Sequence, residues 1–129
     1  MQTSGSSGEP LRFWLSRHRI SCDIAAKWRA TRWWGVDIGD PEIVVWGSRI
    51  EAGTQDRLRT FRDRLLRSQL IPTHDFTEQR LDDILALIRR FRPRMLFGYP
   101  SALARLAWRA RARHLIMNDL GLRVAFTTS

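Results

Sequence analysis

The stretch PRMLFGYPSALARLAWRA, residues 93–110, predicts a helix stop, a short strand and a new helix in close succession. Pro93 forbids continuation of a preceding helix, because its ring clashes with the turn before it. Residues 95–97 are apolar and typical of a buried strand that runs into Gly98. Ser101 is predicted to cap the next helix. The apolar positions of that helix are Leu103, Leu106, Ala107 and Ala110.

The same succession of strand and helix signals extends along the rest of the chain. The predicted strands are residues 11–15, 43–46, 95–97 and 122–127. The predicted helices begin at or near Ser21, Thr54, Thr77 and Ser101, and Ser21 is expected to cap the first of them. Apolar residues at helical spacing mark one side of the second helix (Leu58, Phe61 and Leu65) and a stripe on the third (Leu81, Ile84, Leu85, Ile88 and Phe91). Because strands that alternate with helices pair through crossovers, the sequence predicts an α/β fold with a mainly parallel sheet and flanking helices.

Length and composition limit the classes of protein. The 129 residues (15.1 kDa) are 43% hydrophobic and 27% charged, which fits one small globular domain or a piece of a larger one. Collagen, disulfide scaffolds and long disordered tails are excluded. No apolar run is long enough to span a membrane, and no signal peptide is recognisable. The single cysteine, Cys22, excludes an internal disulfide and favours a reducing, cytoplasmic compartment.

The charge balance is strongly basic, with a formal net charge of +9 and a pI of about 11.5. Lys27 is the only lysine among the 22 basic residues, so the rest are arginines. Such a balance fits nucleic acid, anionic lipid or phosphate ligands. A compositional bias with solvated helix faces is the simpler interpretation. A third interpretation is that some arginines contact neighbouring parts of a larger protein, since arginine pairs well with carboxylates and phosphates.

The strongest chemical signal is an opening loop of hydroxyl-bearing residues and glycines. It consists of Thr3, Ser4, Gly5, Ser6, Ser7, Gly8, Glu9 and Pro10. Glycines let backbone amides approach an anion, and the hydroxyls add donors, so the loop could cradle phosphates. It is not a Walker A loop, because Gly-Lys-Ser/Thr is absent. A flexible linker or an engineered tag is the alternative interpretation.

This loop, followed by an apolar strand, resembles the phosphate-binding signature of the adenylate-forming (acyl-activating) enzymes. The segments GYPSAL (98–103) and FTTS (126–129) resemble those of the phenylacetate–CoA ligase-like branch, which includes CapK-like proteins. The resemblance covers nearly the whole chain. It implies that the chain is part of the N-terminal domain of such an enzyme.

The resemblance also implies a chemistry. A carboxylic acid and ATP would give an acyl-adenylate and pyrophosphate, and a thiol such as CoA would then accept the acyl group. ATP and Mg²⁺ are the implied cofactors, and a nucleotide and a small carboxylic acid the implied partners of the full-length protein. The residues implied to hold the phosphates are Thr3, Ser4, Gly5, Ser6, Ser7 and Gly8. Glu9 belongs to the same loop but departs from the lysine common in relatives.

Four further residues are candidates for the substrate pocket: Trp46 and Gly47 match positions where the family lines its acyl pocket, and Tyr99 and Ser101 lie at another strand end. Trp46 and Gly47 follow one predicted strand, and Tyr99 and Ser101 follow another. The carboxyl ends of parallel strands are where such folds bind ligands. The alternative interpretations are that Trp46 is an ordinary core residue and that Ser101 only caps a helix. The sequence does not distinguish an aryl acetate, another aromatic acid or a sugar-linked acid as the source of the acyl group.

No catalytic residue is assigned. The family uses an acidic residue after the final Ser, a ribose-binding aspartate and a late catalytic lysine, whereas Lys27 lies on an early helix. We therefore expect one incomplete domain over residues 1–129, with a phosphate-binding loop at 1–10 and an α/β portion at 11–129. We also expect the isolated chain not to form adenylates.

Other functions also fit parts of the sequence. A basic nucleic-acid-binding α/β module is the main alternative, because six tryptophans and six phenylalanines accompany the arginines. The absence of a known nucleic-acid-binding signature and the core-like positions of most aromatics weigh against it. A third interpretation is a degenerate remnant without activity.

His18 and Cys22 have a metal-compatible spacing, but two ligands do not make a site, and a surface histidine is the simpler interpretation. Asp82 is interpreted as a complement to a helix dipole.

Overall fold

The computed structural model describes residues 14, 16–47, 56–73 and 76–128. Within them, helices and strands alternate along the chain. The helices are α1 (Arg17–Arg32), α2 (Asp56–Leu65), α3 (Glu78–Phe91) and α4 (Pro100–Ala112). The strands are β1 (Glu42–Val45), β2 (Ser68–Ile71), β3 (Met95–Gly98) and β4 (Val124–Thr127).

The four strands form one parallel sheet in the order β2-β1-β3-β4. Val45, at the end of β1, aligns with Ile71 of β2 and with Gly98 of β3, which in turn aligns with Thr127 of β4. Helical connections between parallel strands are right-handed crossovers. Because the chain moves in one direction from β1 to β2 and in the other from β2 to β3 and β4, α2 lies on one face of the sheet and α3 and α4 lie together on the other. The predicted parallel α/β fold is confirmed.

The core lies between the sheet and the pair α3–α4. Ile43 and Val45 of β1 have no solvent exposure and point to this side. The apolar stripe predicted for the third helix is confirmed, with four buried residues at helical spacing: Leu81, Ile84, Leu85 and Ile88. The α4 residues that complete the core are Ala102, Leu106 and Ala110.

Ion pairs connect the elements, and two of them involve partly buried carboxylates. Arg109 of α4 donates from Nε and Nη2 to the two carboxylate oxygens of Asp82 on α3, at 2.7 Å each. This hydrogen bonding holds the pKa of Asp82 below its ordinary value. Asp82 therefore joins two helices, a role beyond the predicted complement to the helix dipole. The second pair joins α1 to β1: Lys27 Nζ lies 2.7 Å from a carboxylate oxygen of Glu42. Glu42 is only 6% exposed.

Two predicted helix caps are wrong. Ser16, not Ser21, caps α1: its hydroxyl accepts from the Arg19 amide, whereas the Ser21 hydroxyl donates to the Arg17 carbonyl inside the helix. Ser101 does not cap α4, because Pro100 is already helical and Tyr99 occupies the cap position without a side-chain bond. Proline favours the first helical position, which moves the start one residue earlier.

One strand was missed, and one apolar face differs from expectation. β2 (Ser68–Ile71) lies between the second and third helices, at an edge of the sheet, and half of it is polar. Phe61 and Leu65, predicted on the apolar side of α2, are each 69% exposed, because the described residues do not cover them. The predicted strand at 11–15 lies outside the described residues except for Trp14, which belongs to no strand.

Candidate functional site

The candidate site lies where the sheet order changes direction. The chain leaves β1 to build β2 on one side, then crosses back to build β3 and β4 on the other. In open parallel sheets, ligands bind in the crevice outside the carboxyl ends of the two strands at such a switch point. Here those strands are β1 and β3. The residues that follow them are Trp46 and Tyr99.

Three aromatic rings lie at this edge of the sheet. The Trp46 and Tyr99 rings stack with centroids 4.1 Å apart and planes inclined by 14°. Phe97, two residues before Tyr99 on the same strand, lies 5.6 Å from Trp46 at 34°. All three residues are half-buried. The stack therefore presents a partly exposed apolar wall that could accept a flat or compact apolar group.

Two glycines shape the backbone beside the stack. Gly98 approaches β1 so closely that a Cβ there would lie 2.6 Å from the Val45 carbonyl oxygen. Gly47 has a φ of +57°, in the left-handed region that favours glycine. The Gly47 carbonyl accepts from the Thr73 amide at 3.0 Å and from its hydroxyl at 3.3 Å. These bonds fix the turn after β1 against the segment after β2.

The first turn of α4 adds polar groups at the same edge. Ser101 is the second helical residue and is exposed. Because Tyr99 supplies no side-chain cap, amides at this helix start have no side-chain acceptor within the described residues. The positive end of a helix favours anions, so a carboxylate or phosphate oxygen placed here would be stabilised. Beside it, the amide of Thr128 donates to the Gly98 carbonyl at 3.3 Å.

The structure brings together part of the predicted site. Trp46 and Tyr99 are in direct contact, and Gly47 adjoins them. Ser101 is the second residue of α4, at the same edge of the sheet. The predicted phosphate loop lies outside the described residues: Thr3, Ser4, Gly5, Ser6, Ser7, Gly8 and Glu9.

Phe97 was not predicted to belong to the site. The signal was present, because alternate residues of a strand share a face and Phe97 stands two positions before Tyr99. The sequence interpretation treated Phe97 only as part of an apolar strand. The contact with Trp46 requires the pairing of β1 with β3, which the local sequence does not specify.

The chemistry available at this edge is binding chemistry. The described residues of the crevice offer aromatic faces, amides and hydroxyls, which fit an acyl group and its attached anion. No group of three or more potential metal ligands occurs in the described part of the chain. His18 and Cys22 lie together on α1, with Sγ 3.8 Å from Nδ1, and are exposed.

The sequence matches none of the protein-family models and none of the curated proteins with which it was compared. Its fold, however, is that of part of an acyl-CoA ligase. Solved structures of one such enzyme match nearly the whole chain.

That enzyme is 2-hydroxyisobutyryl-CoA ligase. Its complex with 2-HIB-AMP and CoA in the thioesterification state matches with a TM-score of 0.65 at 22% identity, over 98% of this chain and 26% of the ligase. Its postadenylation complex with R3-HIB-AMP matches with a TM-score of 0.63 at 19% identity, over 99% of this chain and 26% of the ligase. The chain thus spans about a quarter of the ligase's length. At these identities the likeness shows the fold.

Within the described residues, no helix combines the length and hydrophobicity that a membrane crossing requires.

Proposed function

We propose that this chain forms part of an ATP-dependent acyl-adenylating ligase, which joins a carboxylic acid to AMP and then transfers the acyl group to a thiol such as CoA. The observation that carries the proposal is the Trp46–Tyr99 stack at the switch point of the sheet. The match of this sheet to part of an acyl-CoA ligase supports it. The GYPSAL segment supports placement in the phenylacetate–CoA ligase-like branch.

In this proposal the carboxyl edge of the sheet holds the acyl end of the intermediate. The rings of Trp46 and Tyr99 contact the acyl group and exclude water from it. The α4 start, with the Ser101 hydroxyl, faces the anionic group to which the acyl carbon is attached. Gly98 keeps β1 and β3 close enough for the two rings to stack.

The nucleotide's phosphates are assigned to the opening loop, Thr3 to Glu9, on the family resemblance. Residues 1–10 would form this loop, and residues 11–129 the α/β portion of one incomplete domain. ATP supplies the activated phosphate when bound, and Mg²⁺ is not assigned to any described residue. A cytoplasmic location is part of the proposal, supported by the exposed, unpaired Cys22.

Binding of stable acyl-adenylate mimics tests this function. Acyl-sulfamoyl adenosines carrying a phenylacetyl or a 2-hydroxyisobutyryl group would be titrated calorimetrically into the chain. Trp46→Ala should raise Kd roughly tenfold, because it removes a ring from the acyl wall, whereas Trp46→Phe should raise it less. Trp108→Ala is the matched control, since Trp108 is 70% exposed on α4 and contacts neither ring of the stack. A wild-type chain that binds neither mimic, or equal effects of the Trp46 and Trp108 variants, contradicts the proposal.

A further inference from the structure

The opposite edge of the sheet, where the strands begin, is strongly basic. Arg67, Arg94 and Arg123 are the residues directly before β2, β3 and β4. Because parallel strands begin at the same edge, the fold brings these three residues to one side of the molecule. Arg92, two residues before Arg94, joins them. We name these four residues the arginine edge.

The arginine edge lines a single open depression of about 620 Å³, together with Asp40 and the turn around Gly121. Asp40 is the one acidic residue in that lining, and it lies 3.3 Å from Nη1 of Arg94. Nearby Glu42 is buried and already bound by Lys27. The four arginines therefore outnumber the acidic residues that line the depression.

The guanidinium groups of this edge are partly held in place. Arg92 donates to the backbone carbonyl of Asp119, and Arg94 to Asp40. The amide of Arg123 donates to the Arg94 carbonyl at 2.8 Å, which fixes the two strand starts side by side. The side chains of Arg67 and Arg123 have no acidic partner among the described residues. Two guanidiniums are thus positioned, and two are available to a ligand.

Two of the four arginines adopt the left-handed backbone conformation just after a helix, as His114 does after α4. Arg67 and Arg92 have φ values of 52° and 49°, in the left-handed region. Side chains other than glycine and asparagine are uncommon there and cost about 1 kcal/mol or more. Two long cationic side chains therefore occupy turn positions where glycine would be less strained.

We propose that the arginine edge binds an oligophosphate group, such as a pyrophosphate or triphosphate chain, either free or carried by a nucleotide. Guanidinium groups pair with phosphate oxygens through two parallel hydrogen bonds, and the depression has the size of a small-molecule site. A four-residue strand is about 13 Å long. This site is therefore separate from the aromatic crevice at the carboxyl ends of the strands.

Calorimetry on the full chain at about 50 mM salt, where surface charges are weakly screened, tests the proposal. The probes are sodium tripolyphosphate, ATP and a single-stranded oligonucleotide. The test variant is the double substitution Arg67→Gln with Arg123→Gln. The control is Arg89→Gln with Arg90→Gln, which removes the same charge from two exposed residues in the last turn of α3. Circular dichroism establishes that all variants are folded.

Tripolyphosphate should bind the wild type, and the test variant should raise Kd at least about tenfold, since it loses two charge-assisted contacts. The control should change Kd by less than about twofold. ATP should lose affinity in the same variant, and equal Kd values for ATP and tripolyphosphate would show that the phosphate chain alone is recognised. Equal weakening by both variant pairs, no binding of tripolyphosphate, or binding of the oligonucleotide alone overturns the proposal.

Discussion

Gly98, the last residue of β3, leaves no space for a side chain. A Cβ at this position would lie 2.6 Å from the carbonyl oxygen of Val45 and 3.1 Å from its Cβ. Both atoms belong to the paired strand β1, and a backbone oxygen cannot rotate away as a side chain can. Gly98→Ala therefore requires β1 and β3 to separate where they form the floor of the candidate site.

The expected loss of stability follows from two opposing terms. Overpacking in a well-packed core costs typically about 1–3 kcal/mol, and the rigid neighbour places this case near the upper end. Replacing glycine by alanine restricts the unfolded chain and recovers about 0.5–1 kcal/mol. The net loss is about 2 kcal/mol. For a domain of this length, that corresponds to a decrease in Tm of about 7 °C.

Thermal and urea unfolding, followed by circular dichroism, measure this effect. Gly121→Ala is the comparison: Gly121 has a φ of +76° but no atom within 4 Å of a built Cβ, so only backbone strain of about 1 kcal/mol is expected. Gly98→Ala should be the more damaging change. An unchanged Tm for Gly98→Ala, or a larger loss for Gly121→Ala, would refute the close approach of the two strands.

Four further substitutions test the ion pairs and the helix starts. Asp82→Asn should lower Tm at pH 7. Because the α4 guanidinium lowers the Asp82 pKa below 3.8, the stabilisation is complete above that value and is lost as pH falls through the lowered pKa. A pH series should thus show the two melting temperatures converging in acid, and a constant gap would contradict this. Lys27→Met should destabilise the chain by about 2 kcal/mol in urea unfolding, since it leaves the buried Glu42 carboxylate without its partner; no change would contradict the pairing. Thr77→Ala should cost about 1 kcal/mol, since its hydroxyl caps α3, whereas Ser101→Ala should cost almost nothing. The reverse ranking would contradict the assigned caps.

The parts of the fold that local chemistry determines were predictable. Thr77 followed by an apolar stripe specifies the start and the buried face of α3, and both are observed. Pro93 ends that helix, and residues 95–97 form the body of β3. Each of these features depends on residues close together in the chain. Their alternation was sufficient to predict a parallel α/β sheet.

The parts that depend on tertiary pairing were not predictable. β2 holds an edge position through its pairing with β1 alone, so it needs no continuous apolar run to mark it. The cap at Ser16 competed with a plausible alternative at Ser21, and only the observed hydrogen bonds distinguish them. The Asp82–Arg109 pair joins residues on different helices, which no spacing rule reveals.

The candidate site shows the same division. Trp46 and Tyr99 were predicted from their places at strand ends, and the sheet brings them into contact. Their stacking, and the inclusion of Phe97, follow from the adjacency of β1 and β3. The arginine edge was invisible in the sequence, because its members are spread from position 67 to position 123 and converge only when the strands align.

A crystal structure of the chain with a non-hydrolysable acyl-adenylate tests the central claim most directly. The account predicts that the acyl group lies against the Trp46 and Tyr99 rings at the carboxyl ends of β1 and β3, near the start of α4. An acyl group bound elsewhere, with the aromatic stack untouched, would contradict the assignment of this crevice as the acyl site.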